Sequence, residues 1–203
     1  RRGTPTSMGG RESRSRAARR RRSVAGRRLG CGRRLRRRDR GVRYEPMFDE
    51  ESCSEAHLRG VMQGRFEFQG EAHDLNEPIN WLHNPSSDIE WHILLHKFYY
   101  AVGLTQRWKT HRDKDALQRW QQLLSSWMTQ TPAGFIAADV TGRRVQNWIY
   151  SLHAVLADAP IDAAFFRRLL KSIHDQVEYL CENLTPKRNH RTLELLAIYL
   201  AGV

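Results

Sequence analysis

The residues best suited to chemistry lie near the end of the chain, where an amide and an imidazole stand side by side as Asn189 and His190. A loop that contains proline precedes them and an apolar helical pattern follows, which places the pair at a helix start. Unpaired backbone N–H groups and the positive end of the peptide dipole attract anions there. With Lys187, Arg188 and Arg191 alongside, the pattern predicts a site for an anionic group such as a carboxylate. The alternative is a helix cap, in which Asn189 bonds the first-turn amides and His190 lies on the surface.

Four segments carry further motifs: FEFQG at 66–70, NWLHNPSSDIEWHILLHKF at 80–98, GRRVQNWI at 142–149 and RNHRTLELLAIYL at 188–200. In this order they resemble four elements of the heparinase II/III-like polysaccharide lyases. These are a short leading segment, the Asp-Trp…Asn-Pro…Glu-Trp…Leu-His-Arg-Phe run, the Arg…Asn-Trp-Ile element and the Asn-His helix. The resemblance covers roughly residues 60 to 203. It departs at Asn80, where the family has Asp, so we carry over no role for that position.

The resemblance implies a lyase that cleaves uronic-acid-containing glycans by β-elimination. A base removes the proton at C5, and the negative charge that develops beside the carboxylate must be stabilised. Asn189 would hold the carboxylate, while His190 would either share that contact or act near the C5 proton. An amide and an imidazole can do this without a metal, so we expect no metal and no cofactor. The family's acid/base tyrosine and a further histidine lie later than Val203, so this portion alone is expected to be inactive.

Other polar and aromatic residues are candidate substrate contacts on the same resemblance. The expected contacts are Arg144, Asn147, Arg188, Trp81 and His96. Arg144 and Asn147 stand at a predicted helix start together with Arg143, where a solvated first turn is the alternative reading. His96 follows His92 at a spacing of four that suits a metal. Because no acidic third ligand is evident, a structural role is favoured over metal binding for this pair.

The remaining aromatic residues fit a hydrophobic core better than a sugar site. Those on apolar helix stripes are expected to be packed inside: Trp91, Trp120, Trp127 and Trp148. Trp81 stands in a loop and is the best candidate for a platform under a sugar ring. Tyr199 and Cys181 lie in apolar contexts, and we interpret them as core residues. The three cysteines are widely spaced and predict neither a disulfide framework nor a zinc motif.

The periodicity of apolar residues predicts an all-α fold from residue 88 onward. Five helices are expected, starting at or near Asp88, Asp113, Thr141, the segment after Pro160, and Arg188. Residues 60–87 show no period and are expected to form loops, with a short strand at 65–69. The resemblance implies an incomplete (α/α) toroid of antiparallel helix pairs around a groove. On this reading residues 47–203 form the N-terminal part of a toroid domain that is truncated at its C-terminus.

Residues 1–46 differ sharply from the rest in composition. They hold eighteen arginines against Glu12, Asp39 and Glu45, a net charge of +15, so the remainder carries −3 of the total of +12. With few large apolar residues, this tail is expected to be disordered. It is also open to being non-native translation upstream of a start at or near Met47, or a nucleic-acid arm. The last reading is the least favoured, because no aromatic residues are interleaved for base stacking.

The sequence leaves two alternatives to the lyase open. One is a non-catalytic helical module that binds or scaffolds carbohydrate, and the other is nucleic-acid binding through the arginine tail. An acidic polysaccharide is the expected partner. Neither a membrane-spanning segment nor a signal peptide is evident, although the resemblance suggests a periplasmic or secreted protein. The sequence does not specify the oligomeric state or the particular glycan.

Overall fold

The computed structural model describes residues 48–186 and 188–203, so the predictions for residues 1–46 and Lys187 lie outside the described part of the chain. Seven helices and one β-hairpin make up this part. The helices are α1 (Glu55–Met62), α2 (Ile89–Lys97), α3 (Tyr99–His111), α4 (Lys114–Gln130), α5 (Ala138–Val155), α6 (Ala163–Glu182) and α7 (Arg188–Gly202). The hairpin strands are β1 (Arg65–Phe68) and β2 (Glu71–Asp74). The prediction of a predominantly helical fold is confirmed.

Aspartate caps fix three of the helix starts where the sequence predicts them. The side chain of Asp88 accepts a hydrogen bond from the Glu90 amide at 2.9 Å. Asp113 caps α4 and Asp162 caps α6 in the same manner, each through the amide three residues later. Each carboxylate satisfies an otherwise unpaired N–H group and lies at the positive end of its helix dipole. Local chemistry therefore sets these boundaries.

The first predicted helix is two helices, because the chain breaks at Phe98. This residue has a φ of 59° and ψ of 34°, which is left-handed backbone that ends α2 and starts α3. The strain is tolerated because the Phe98 ring is fully buried among aromatic neighbours. Asn147 supports the break by donating a hydrogen bond to the Lys97 carbonyl at 2.7 Å. The break at Phe98 results from packing against residues that are distant in sequence. A local sequence pattern does not reveal such packing.

Tryptophan and phenylalanine rings form the centre of the core. Phe98 stacks on Trp81 with ring centroids 5.5 Å apart and meets Trp148 edge-on at the same distance. Trp127 and Trp148 meet edge-on at 5.2 Å. Offset and edge-on arrangements of this kind are favourable beyond the area that they bury. The tryptophans predicted for the core (Trp91, Trp120, Trp127 and Trp148) are all buried, which confirms that expectation.

Helix α5 is the central element of the described chain. It packs against α3 and α7 most extensively, and also against α2 and α6. Every residue from Val140 to Trp148 is buried, including its polar ones. A helix with neighbours on this many sides must pair its polar side chains with other protein groups. Several candidate site residues on α5 are therefore hydrogen-bonded inside the protein.

The hairpin lies in the region predicted to be mostly loop. Strand β1 matches the predicted strand at 65–69, whereas β2 and helix α1 were not predicted. The strands pair antiparallel in the register Phe66 with His73 and Phe68 with Glu71. Gln69 and Gly70 form the turn with φ of 54° and 80°, the left-handed pair that two-residue hairpins favour. Alternate residues of β1 are buried, so the hairpin adds one apolar face to the core.

Candidate functional site

The loop before α7 is tied to the helix that follows it. Glu194, fully buried on α7, accepts hydrogen bonds from the backbone N–H and the hydroxyl of Thr185, at 2.7 and 2.5 Å. A buried carboxylate needs such donors, because its desolvation is otherwise unfavourable. We call this contact the Thr185–Glu194 clasp. It ties Thr185, which precedes α7, to the second turn of that helix.

Close backbone packing holds α7 against α5. Gly142 lets the two helices approach, since a Cβ at this position would lie 3.1 Å from the Cα of Glu194. The side chain of Gln146 donates a hydrogen bond to the Leu193 carbonyl at 2.6 Å. The first turns of the two helices are therefore held at a fixed separation.

Asn189 and His190 lie on the first turn of α7, and both are exposed. The His190 Nδ1 atom lies 2.9 Å from Oδ2 of Asp139, on the first turn of α5. The two side chains are 59% and 27% exposed, so the carboxylate is the more protected partner. No sequence signal pointed to Asp139, which lies 51 residues before His190 and belongs to none of the motif segments.

Of the basic residues next to Asn189 and His190, only some are described. Arg191 is exposed, and its guanidinium donates to the Pro186 carbonyl at 3.5 Å. Lys187 lies outside the described residues. Arg188 begins α7, and the prediction that it contacts substrate stays a prediction.

Arg144 and Asn147, expected as substrate contacts, are instead fully buried in α5. The guanidinium of Arg144 donates to the Gln176 side chain at 2.7 Å and the Ala133 carbonyl at 2.9 Å, and lies 4.2 Å from the Trp127 ring centroid. Burial lowers the pKa of Arg144 to about 9. Neither side chain has an exposed surface in this arrangement. The reason is that α5 has neighbouring helices around it, unlike a helix at a protein surface.

Trp81 and His96, also expected as sugar contacts, are likewise fully buried. The indole of Trp81 stacks on Phe98, and its N–H donates to Ser126 at 3.0 Å. His96 Nδ1 accepts from the Trp127 indole at 2.9 Å, while its Nε2 lies 3.0 Å from the Trp81 carbonyl. Both residues therefore position the loop around residue 81 on the core.

The His92–His96 pair is a buried structural contact. The two Nε2 atoms lie 3.0 Å apart, and each is within 3.2 Å of the Trp81 carbonyl. Burial, with the nearby Arg144 charge, lowers the pKa of His96 to about 2, and burial lowers the pKa of His92 as well. Both rings are therefore neutral at ordinary pH. Across residues 48–186 and 188–203, no cluster of three or more His, Cys, Asp and Glu side chains is arranged to hold a metal ion.

Two residues interpreted as core are on the surface. Tyr199 is 63% exposed, and Cys181 is also exposed. Tyr199 forms an exposed apolar stripe on α7 with Leu195, one helical turn earlier. The apolar residues of α7 cover a wider face than the one that packs on α5. For this reason the interpretation of Tyr199 as a core residue was wrong.

Three concave regions on the described residues lie elsewhere. The largest, about 460 Å³, lies between α4 and the start of α6, with Leu117 and Phe165 among its lining residues. The second lies between α1 and α3, and the third between the end of α4 and α6. No residue of α7 lines any of these three regions, and Asn189 and His190 are both exposed. In the same part of the chain, no helix is both long and apolar enough to cross a bilayer.

Helices α2, α3, α6 and α7 pack around α5, the arrangement expected for an incomplete (α/α) toroid. Comparison with solved structures supports this class. The chain superposes on a heparan sulfate lyase, HepC, from Pedobacter heparinus with a TM-score of 0.67 and 20% identity, covering 81% of this chain and 27% of that one. A heparinase III structure gives a TM-score of 0.67 at 16% identity, with 78% and 28% covered. The predicted toroid fold is confirmed.

The family follows from the sequence comparison. A family profile described as Heparinase II/III N-terminus matches residues 23–203. The chain belongs to the heparinase II/III family through this N-terminal domain. It is 25% identical over 138 residues to a heparin-sulfate lyase from Pedobacter heparinus, covering 64% of this chain. The match spans 21% of that relative, and the superpositions span 27% and 28% of the two solved structures, so the chain covers less than a third of the proteins that it resembles.

Proposed function

We propose that this chain is the N-terminal toroid portion of a polysaccharide lyase that cleaves uronic-acid-containing glycans by β-elimination. The observation that carries the proposal is the exposed Asn189–His190 pair on the first turn of α7, in a member of the heparinase II/III family. Because the chain matches only 21% of its lyase relative, we place the rest of the groove and the main base in sequence outside these residues.

The reaction breaks the C5–H bond and the C4–O bond of the uronate and forms a C4–C5 double bond. The C5 proton passes to a base, and the departing sugar oxygen takes up a proton. An ionised carboxylate opposes this step, since negative charge accumulates beside it as the proton leaves. Asn189 suits the task of stabilising that charge, because its amide N–H groups donate hydrogen bonds without titrating. Donors that bind the developing charge more strongly than the ground state lower the barrier.

His190 stands next to Asn189 and extends the same surface. Its ring carries one nitrogen that contacts Asp139 and a second, Nε2, that is available to a ligand. That atom would share the carboxylate contact or act near the C5 proton. Arg188, at the start of α7, would add a cation that attracts an acidic glycan.

The buried candidates would act indirectly. Arg144 and Asn147 fix α5 against α6 and α2 through the Gln176 side chain and the Lys97 carbonyl. Trp81 and His96 fix the 79–83 loop. We propose that these four residues hold α5 and the neighbouring loop in place, and with them the face against which α7 packs. They would shape the groove without contacting a sugar.

The test is an elimination assay on the complete lyase that contains these residues. Heparan sulfate, alginate and a uronate-containing bacterial exopolysaccharide are offered separately, and unsaturated products are followed by their ultraviolet absorbance. We expect product from at least one polymer, with kcat reduced by about 10² to 10³ in Asn189→Ala, as when one donor to a developing oxyanion is removed. Asn183→Ala is the matched control, because Asn183 is an exposed amide at the end of α6 that bonds only the Tyr179 carbonyl among the contacts described.

Two outcomes contradict the proposal. One is a folded wild-type protein that releases no unsaturated product from any polymer. The other is an active protein in which Asn189→Ala matches both wild type and the Asn183→Ala control. Binding of a uronic polymer without product would instead identify the non-catalytic carbohydrate module that the sequence left open.

A further inference from the structure

We infer that Asp139 is a positioning residue for His190, so that Nε2 is the ring atom that this histidine presents to the sugar. The inference rests on the proposed function and deepens it at one residue. It follows from a contact between two helices that no motif of the sequence indicated.

The geometry is that of a direct hydrogen bond. His190 Nδ1 and Asp139 Oδ2 are 2.9 Å apart, within the normal range for a charge-assisted N–H···O bond. Asp139 is 27% exposed and His190 is 59% exposed, so the carboxylate is the more buried partner. The more accessible part of the pair is therefore the imidazole.

The chemistry of the two partners assigns the proton. An ionised carboxylate has only acceptor positions, so the nitrogen facing it must carry the hydrogen. Nδ1 is then an N–H donor, whichever charge the ring has. In the neutral ring Nε2 is bare and can accept a proton, and in the cation it is an N–H that can donate to a sugar carboxylate. Either role that the proposed function leaves to His190 passes through Nε2.

The contact does not depend on the side chains alone. Asp139 is on the first turn of α5 and His190 on the first turn of α7. Those helices are held together by the close approach at Gly142 and by the bond from Gln146 to the Leu193 carbonyl. The distance between the two first turns is thus set by helix packing. The backbone of His190 is held in place before its ring meets the Asp139 carboxylate.

The tautomer of His190 tests the assignment directly. We would label the protein with ¹⁵N-histidine and record the ring nitrogen shifts at a pH above histidine titration, assigning the signals by their loss in His190→Gln. Wild type is expected to show protonated Nδ1 and bare Nε2 at His190. In Asp139→Ala the signals should move toward the mixture of tautomers found in solvent. Asp175→Ala, which removes an exposed carboxylate next to His174 on α6, should leave the His190 signals unchanged.

The kinetic arm uses the complete lyase. Asp139→Ala is expected to lower kcat about 10- to 100-fold with little change in KM, as when an outer partner of a working histidine is lost. Asp139→Glu should restore part of that loss, which a purely structural role for the carboxylate would not require. Asp175→Ala should match wild type.

The two arms separate failure of this inference from failure of the proposed function. A bare Nδ1 at His190 in wild type, or His190 signals unchanged by Asp139→Ala, overturns the inference whatever the activity. The expected tautomer in a protein that makes no unsaturated product overturns the lyase assignment while Asp139 still orients the ring. An active lyase in which Asp139→Ala keeps the wild-type kcat overturns the positioning role.

Discussion

Arg144 is a buried cation whose described hydrogen-bond partners are neutral groups. The guanidinium donates to the Gln176 side chain, the Thr141 hydroxyl and the Ala133 carbonyl, and it lies over the Trp127 ring. Its planar fork reaches several acceptors at once, which the single ammonium group of lysine cannot do. This one side chain therefore joins α5, α6 and the loop before α5.

Arg144→Lys should destabilise the protein by about 2–3 kcal/mol, because buried acceptors lose their donors while a charge stays inside. The measurement is the free energy of unfolding from urea denaturation at pH 7. Arg168→Lys is the matched control, since Arg168 is on the exposed side of α6 and donates a long hydrogen bond of 3.4 Å to Ser125. Its effect should stay within about 0.5 kcal/mol. Equal effects of the two substitutions would contradict the structural role of Arg144.

Residue-level prediction from the sequence succeeded where a local pattern decides the environment. The aspartate caps and the tryptophans on apolar stripes are of this kind. The sequence did not indicate that Arg144 and Asn147 are buried, because polar residues near a helix start normally face solvent. The residues of α5 are buried on every side because helices that are far away in sequence pack around it. Asp139 was missed for the same reason, since its partner is on another helix.

At the scale of elements, the α5–α7 contact is the feature on which the candidate site depends. The contact is close because Gly142 has no side chain, and a Cβ there would lie 3.1 Å from a backbone atom of Glu194. Backbone atoms cannot give way as a flexible side chain can. A Cβ at this position therefore requires the backbone of α7 to shift by a few tenths of an ångström.

Gly142→Ala should lower the free energy of unfolding by about 1–3 kcal/mol through this overpacking. It should also shift the His190 ring signals, because the first turn of α7 moves relative to Asp139. Gly202→Ala is the control, since a Cβ at Gly202 meets nothing within 4 Å and alanine favours helix. The expectation is wrong if Gly142→Ala is as stable as Gly202→Ala.

Element boundaries were predictable where capping chemistry marks them. Asp113 starts its helix as expected, and the helix predicted after Pro160 is capped by Asp162. Thr131 ends α4 just before Pro132. The break at Phe98 was not predictable, because a bulky residue in left-handed backbone is rare and is tolerated here only by the surrounding rings. Strand β2 shows an intermediate burial pattern without alternation, which explains why no period-two signal revealed it.

At the scale of the whole molecule, three buried histidines link stability to pH. Burial lowers the pKa of His57, His92 and His96, the last to about 2. In the unfolded chain the same groups take up protons below about pH 6.5. The unfolded state therefore binds more protons than the folded state in this window. Stability is full above about pH 6.5 and is lost as the pH falls.

Between pH 7 and pH 5, His96 alone should reduce the free energy of unfolding by about 2 kcal/mol. Urea denaturation at half-unit pH steps would measure the slope. His96→Gln should start from a lower stability and show a shallower slope, whereas His174→Gln should keep the wild-type slope because His174 is 71% exposed. A wild-type stability that is flat or rises toward pH 5 would contradict this account.

The overall architecture was predictable from the ordered motif segments together with helical periodicity. Neither the motifs nor the periodicity indicated which polar side chains would be exposed and close together. Of the expected site residues, Asn189 and His190 are exposed, while Trp81, His96, Arg144 and Asn147 form the interior that supports them. Side chains in that interior face partners from four helices and two loops, and a linear pattern does not encode such distant pairings.

The Thr185–Glu194 clasp has a consequence for ligand affinity. A loop that is already bonded to its helix has little conformational freedom left to lose when a glycan arrives. The entropic cost of forming the complex then falls mainly on the sugar chain and on the long basic side chains. We therefore expect Thr185→Val, which removes one of the two donors to Glu194, to weaken glycan binding mainly through the entropy measured by calorimetry.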